Sequence, residues 1–170
     1  MNLPERYRIR RRRDVERLRS RLARARYFRG HGVHSPFVYA IVRQVFMKTE
    51  LAGGDRSFYT ALRERGVCRR RAVQLQNLFR HCGCRRFAFD RTEETDFCVA
   101  TSDTPIERLP RLAEAMRGQR ATLCILNPYA DRARRDCCLR LTAEHPSTSI
   151  DNRAYLLLFN GPLPKQHFKL

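Results

Sequence analysis

The chain has 170 residues, a formal net charge of +18 and 42% hydrophobic residues. That length predicts one domain, and that apolar fraction is enough for a core. No apolar run approaches the ~18 residues of a membrane span, and the basic N-terminus has no apolar signal core. The expectation is a cytoplasmic protein without a membrane span.

The basic excess is arginine, with 32 Arg against 3 Lys. Arginine forks recognise phosphate, and a strong positive field favours nucleic acid or anionic lipid. A GC-rich coding sequence drifting towards arginine on solvated faces explains the same count. Residues 1–30 hold 12 arginines against Glu5, Asp14 and Glu16. Residues 1–11 read as a flexible basic arm. Val15, Leu18, Leu22 and Ala25 then recur at helical spacing and predict a helix from Arg12 to Phe28. Its narrow apolar stripe reads as a docking face rather than a membrane anchor. Arg8, Arg10, Arg11, Arg12, Arg13, Arg17, Arg21 and Arg24 are the candidates for nucleic-acid contact, with Tyr7 and Tyr27 available to stack.

The stretch RGHGVHSPFVYAIVRQVF follows. Ser35 predicts an N-cap with Pro36 at the first helical position. Val38, Ile41, Val42 and Val45 form one helical face. His31 and His34 have no carboxylate or cysteine at ligand spacing, so they read as structural loop residues. Gly53-Gly54 breaks the chain, and Asp55 predicts a capped helix to about Arg65, ended by Gly66. Arg69 to His81 is the next predicted helix, with Ala72, Leu75, Leu78, Phe79 and Cys82 inward. Residues 12–82 thus form a helical section.

From residue 83 the period changes to that of an α/β sheet. Arg86–Asp90 and Phe97–Ala100 read as short strands. Thr104-Pro105 opens a predicted helix to Arg117, stopped by Gly118. Ala121–Leu126 is a continuous apolar run, as in a strand buried on both faces. Asp131–His145 reads as a helix with Ala133, Cys137 and Leu141 inward. Ser147–Asp151 and Ala154–Phe159 read as a hairpin turning at Asn152-Arg153. The pattern predicts an α/β three-layer fold with an antiparallel edge and preceding N-terminal helices.

The motifs that carry chemistry are sparse. Seven cysteines, several in apolar runs, read as reduced core thiols. His81-Cys82-Gly83-Cys84 lacks the second ligand pair a zinc site needs, so no metal is expected. There is no GxGxxG, no P-loop and no GxSxG elbow. Asp90, Glu93, Glu94 and Asp96 read as a solvated turn. His145 and His167 carry no catalytic signature.

HGVHSPFVYAIV near the start and HPSTSIDNRAYLLLFNGPLPKQHFKL at the end resemble a group of bacterial class I S-adenosylmethionine-dependent methyltransferase-like proteins. The resemblance covers residues 26–47 and 121–170 and is weak between them. It implies a Rossmann-like sheet behind N-terminal helices, with a C-terminal hairpin. It also implies a Gly-rich loop after the first strand and an acid after the second, to hold the cofactor. Arg91-Thr92-Glu93-Glu94-Thr95 stands where that loop belongs and contains no glycine. Five residues are too few for a crossover to a parallel neighbour, so a hairpin or irregular link is expected there. Asn127 stands where relatives carry an acid.

The leading expectation is a reduced Rossmann-like fold over residues 83–170, catalytically inactive and acting by protein contacts. Its partners would be a second copy or a full-length relative, since shortening a sheet leaves an edge to cover. No cofactor is expected. The first alternative is a methyltransferase whose site is atypical or completed by a partner. S-adenosylmethionine would then sit around Asp90, Ser102 and Asp103. The second alternative is nucleic-acid binding through the arginine-rich arm.

Overall fold

The computed structural model of the chain describes residues 35–170. The basic arm, the stripe of residues 15–25, the eight candidate arginines and His31 and His34 lie outside the described residues.

Helix α1, Pro36–Ile41, opens as the sequence predicts. Ser35 accepts a hydrogen bond from the Val38 N–H, and Pro36 stands in the first turn. It runs on as a π-helical segment, Val42–Phe46. Helix α2 spans Ser57–Glu64, starting one residue later than a cap at Asp55 predicts. Asp55 accepts from both the N–H and the hydroxyl of Ser57 and so orders the turn ahead of the helix. Helix α3 spans Arg69–His81.

Two of these helices end alike. The Gly66 N–H bonds to Arg63 O and the Val67 N–H to Leu62 O; Gly83 and Cys84 repeat the pattern on Arg80 and Phe79. Both glycines hold positive φ. These are Schellman caps, which satisfy the last helical carbonyls through a left-handed residue.

All of Ala72–Phe79 is buried, including Gln74, Gln76 and Asn77. The outer face of α3 is covered by the loop of residues 47–56, and the three amides replace the backbone partners that loop lacks. Asn77 donates to Glu50 O and accepts from the Ala52 N–H, both at 2.9 Å. Gln76 accepts from the Tyr59 N–H at 2.8 Å and donates to Asp55 O at 3.2 Å. Gln74 reaches Phe46 O and the Tyr155 hydroxyl. Every one of these buried polar groups is therefore paired, which is what makes their burial affordable.

The sheet holds β1 (Phe87–Phe89), β2 (Phe97–Ala100), β3 (Thr122–Leu126), β4 (Thr148–Asp151), β5 (Tyr155–Leu158) and β6 (Gln166–Lys169), in the order β1-β2-β3-β5-β4-β6. Helix α4, Arg108–Gly118, lies between β2 and β3, and α5, Arg132–Glu144, between β3 and β4. The fold is mixed α/β, as expected. Three details differ. β5 is the antiparallel strand, but it lies inside the sheet between β3 and β4. The edge is β6, parallel to β4, formed by a tail whose sequence predicts no strand. Last, β1 and β2 are parallel neighbours joined without a helix.

The link is irregular, one of the two forms expected, but it joins parallel neighbours, which overturns the reading that so few residues exclude them. β1 has three residues, so the return path along it is only ~7 Å. The seven residues between β1 and β2 reach up to ~23 Å when extended. Left-handed conformations at Asp90 and Glu94 bend this link. The need for a long crossover scales with strand length, and β1 is too short to impose it.

Helix α4 also starts later than expected, at Arg108 rather than near Thr104. Pro110 accounts for this. It has no N–H, so it fits only in the first turn, where no partner is required. Gly118 is the last helical residue, and Arg120 takes the left-handed position beyond it, with Ala121 N–H closing on Met116 O.

Alternation along the strands sends side chains to two cores. Phe97, Val99, Cys124, Leu126, Tyr155 and Leu157 face α1, α2 and α3. Cys98, Ala100, Leu123, Ile125, Leu156 and Leu158 face α4 and α5. Helices thus cover both faces, giving three layers. Phe58 lies at the heart of the first core, its ring within 6.3 Å of those of Phe79, Phe87, Phe89 and Phe97. Among the described residues no helix is long and apolar enough to cross a membrane.

Candidate functional site at the carboxyl ends of the strands

β1, β2, β3, β4 and β6 all run in one direction, and only β5 opposes them. Their carboxyl ends therefore share one rim, the place where open α/β sheets bind ligands. Asp90 follows β1, Thr101 to Thr104 follow β2, and Asn127 follows β3. Asp151 ends β4. Asp90 and Asn127 both hold left-handed backbone, with φ of 57° and 47°.

Asp90 is half-buried and fully engaged. Its carboxylate accepts from the Thr101 N–H at 2.8 Å, the Thr101 hydroxyl at 2.9 Å and the Thr104 hydroxyl. The Arg108 guanidinium donates to its carbonyl oxygen. This set ties the end of β1 to the loop after β2. The acid expected to be a solvated turn residue is a fastener instead. Asp96 also departs from that reading, since its carboxylate accepts from the Arg85 and Arg86 N–H groups. Burial alone would raise its pKa, but these bonds and the Arg86 charge outweigh burial and hold it low.

Arg134 completes the rim. The face of α5 turned to the sheet is Arg134, Cys137, Cys138 and Leu141, while Ala133, expected inward, is exposed. Arg134 is 2% exposed. Its guanidinium donates to Thr104 O at 3.0 Å, Thr101 O at 2.7 Å and Leu126 O at 3.1 Å. Carbonyls at strand ends lack ladder partners, and one planar fork serves three of them. Asp131 caps the same helix by accepting from the Arg134 N–H.

Of the residues proposed to hold a cofactor, the fold brings Asp90 and Ser102 to the rim, with Asp103 beside them. Ser102 is exposed and its hydroxyl accepts from the Asn127 amide at 2.6 Å. Asp103 is exposed. Asn127 is the strand-end residue that stands where relatives carry an acid, while Thr101, Thr104 and Arg134 are not legible as site residues in the sequence. Their sequence signal is slight: an arginine in register with the apolar face of a helix, and threonines just past a strand.

Further along the rim, Tyr129 donates to Asp151, whose other oxygen accepts from the Arg153 N–H. Across β4 and β6 the Ser149 hydroxyl meets His167 Nδ1 at 2.9 Å. Tyr129, Arg135, Cys138, Asp151 and His167 line a cavity of about 10 Å³, room for about one water. A nucleoside-sized ligand needs several hundred cubic ångströms. The thiols are poor nucleophiles. Burial pushes Cys82 up to about 11 and Cys98 and Cys138 up to about 12. Among the described residues, no group of three or more His, Cys, Asp and Glu is placed to hold a metal.

Comparison with protein-family models, curated proteins and solved structures finds no match.

Proposed function

We propose that this chain is a shortened relative of the methyltransferases that acts through protein contacts rather than methyl transfer. The sequence resemblance suggests the lineage. A mostly parallel sheet with a C-terminal hairpin and helices on both faces is compatible with it. The observation that carries the loss of activity is the end of β1. The chain there passes through Asp90 straight back to β2, and the Asp90 carboxylate is spent on Thr101 and Thr104. The place for a Gly-rich loop is taken by a knot of side chains. What remains is a sheet in which β1, among the described residues, is a short edge strand that a second copy or a full-length relative would pair with.

Calorimetric titration of the full chain with S-adenosylmethionine and S-adenosylhomocysteine tests this reading. We expect no heat of binding. Micromolar affinity would overturn it in favour of a methyltransferase with an atypical site. A companion variant checks the role of Asp90. Asp90→Ala strands two hydroxyls and an N–H and should lower unfolding free energy by about 1–3 kcal/mol. Unchanged stability would mean that the carboxylate is free to serve a ligand.

A further inference from the structure

The positive charge of the described body is not spread over it. Residues 56–86, which carry α2, α3 and their turns, contain nine arginines and one acid, Glu64. Residues 87–170 hold twelve arginines and lysines against eleven acids, and residues 35–55 balance out. Uniform arginine drift would load every layer alike. Here the sheet and the α4–α5 layer are nearly neutral, and the α2–α3 layer carries the excess.

The densest part is the turn between α2 and α3, where Arg63, Arg65, Arg69 and Arg70 are all exposed. None of the four meets a carboxylate among the described residues. The turn is built rigidly. It is the Schellman cap at Gly66, reinforced by Arg63 donating to Val67 O. The Arg65 guanidinium is held 3.8 Å from the centre of the Phe89 ring on β1, so that cation is anchored to the sheet edge rather than swinging in solvent. Of the arginines that open α3, Arg71 serves the fold, donating to Gln74 Oε1 at 2.9 Å and lying over the Tyr155 ring, while Arg69 and Arg70 meet no acid among the described residues. Arg69, Arg70 and Arg71 occupy its first turn, where positive charge opposes the helix dipole, and no acid accompanies them. Beyond the bond of Arg63 to the turn and the ring contact of Arg65, the cluster adds like-charge repulsion, which an external polyanion would relieve.

We propose that the α2–α3 turn is a nucleic-acid-binding surface that holds the phosphate backbone through Arg63, Arg65, Arg69 and Arg70. It is distinct in sequence from the arm and would bind without sequence preference, because exposed guanidinium groups contact phosphates rather than base edges. The surface is independent of whether the carboxyl rim binds a cofactor.

The test is fluorescence anisotropy of the full chain with a labelled 20-nucleotide RNA and a 20-base-pair DNA, over a salt series. The variants are Arg63→Gln/Arg65→Gln/Arg69→Gln/Arg70→Gln, and an arm variant with Arg8, Arg10, Arg11, Arg12 and Arg13 changed to Gln. Circular dichroism and thermal melts confirm that each is folded. The four positions are exposed, so the turn variant should fold. We expect the turn variant to lose affinity by on the order of 10–100-fold at ~50 mM salt, and its log–log salt slope to shrink by about 2–4. The arm variant should keep that turn-dependent part. Equal affinity and slope for parent and turn variant overturn the proposal. So does binding to phosphatidylserine vesicles with none to either oligonucleotide, which would make the surface a lipid site.

Discussion

Asp90 and Asn127 show how single residues decide the character of the rim. Each sits in left-handed backbone that costs a non-glycine residue free energy, and each has a short polar side chain that bonds to the loop after β2. An acid at the end of the first strand is legible in the sequence as a candidate ligand. That its oxygens are already taken is not, because Thr101 and Thr104 lie more than ten residues away. Arg134 was illegible for a different reason. Arginine reads as a solvated residue, and only the geometry of three strand-end carbonyls explains why one is buried. His145 offers a residue-scale test. Its ring is 3% exposed at the end of α5, with Nε2 3.0 Å from Phe159 O. Burial lowers its pKa, and the charges of Arg117 and Lys165 lower it further against the backbone bonds to Phe159 and Thr148. The native ring therefore stays neutral at a pH where the unfolded ring, near 6.5, takes a proton. In that window the unfolded state binds more protons, so stability rises with pH and is lost as pH falls below about 6.5. Asp55 and Asp96, both held low, add losses only at lower pH, as their carboxyls protonate below about 4. Urea midpoints at pH 7, 6 and 5 should drop more steeply for the parent than for His145→Gln. Parallel slopes would mean that the native ring titrates like a free one.

Helix α3 is the element on which the first layer depends, and its boundaries were the easiest to read. The apolar positions recur at 3.6 residues and the cap at Gly83 marks the end. Its polar residues were harder. Gln74, Gln76 and Asn77 look like the solvent face of an amphipathic helix, yet the loop of residues 47–56 takes backbone partners from Gln76 and Asn77, and Gln74 is bonded to Phe46 O and the Tyr155 hydroxyl. Sequence periodicity reports which side of a helix is apolar, not whether a loop folds over the other side. β6 was missed because Gln-His-Phe-Lys is four residues with a single apolar contact, too short a pattern to separate from a tail. The parallel β1–β2 link is not legible because the need for a long crossover holds for full-length strands and β1 has three residues. The role of α3 can be tested at Asn77. Asn77→Leu removes both bonds to the loop and leaves Glu50 O and the Ala52 N–H without partners. We expect a loss of about 1–3 kcal/mol and faster amide hydrogen exchange at Ala52, with little change in the strands. Unchanged exchange at Ala52 would show that the loop is held by other contacts.

Across the whole molecule, the two cores share one sheet, and that sharing predicts how the protein opens. Strands β2, β3 and β5 each contribute alternate residues to both sides. Losing one helical layer exposes one face of the sheet while the other layer still depends on the same strands. A single cooperative transition follows, rather than two. The seven free cysteines are placed to report it. Cys124 faces the first core. Cys98, Cys137 and Cys138 face the second, and all four are buried. Cys82 and Cys84 are partly covered at the carboxyl end of α3, and Cys68 is exposed in the α2–α3 turn. Burial also raises the pKa of the core thiols, so little reactive thiolate is present at pH 8 even where a reagent enters. A thiol reagent at pH 8 should therefore modify Cys68 first, Cys82 and Cys84 more slowly, and the core four last. Mass spectrometry of the labelled peptides assigns each rate. In mild denaturant Cys124 should become reactive at the same rate as Cys98, Cys137 and Cys138, because one opening exposes both faces. Earlier labelling of Cys137 and Cys138, with Cys124 still protected, would show that the α4–α5 layer detaches by itself. The sheet and the first layer would then be the unit that stays folded.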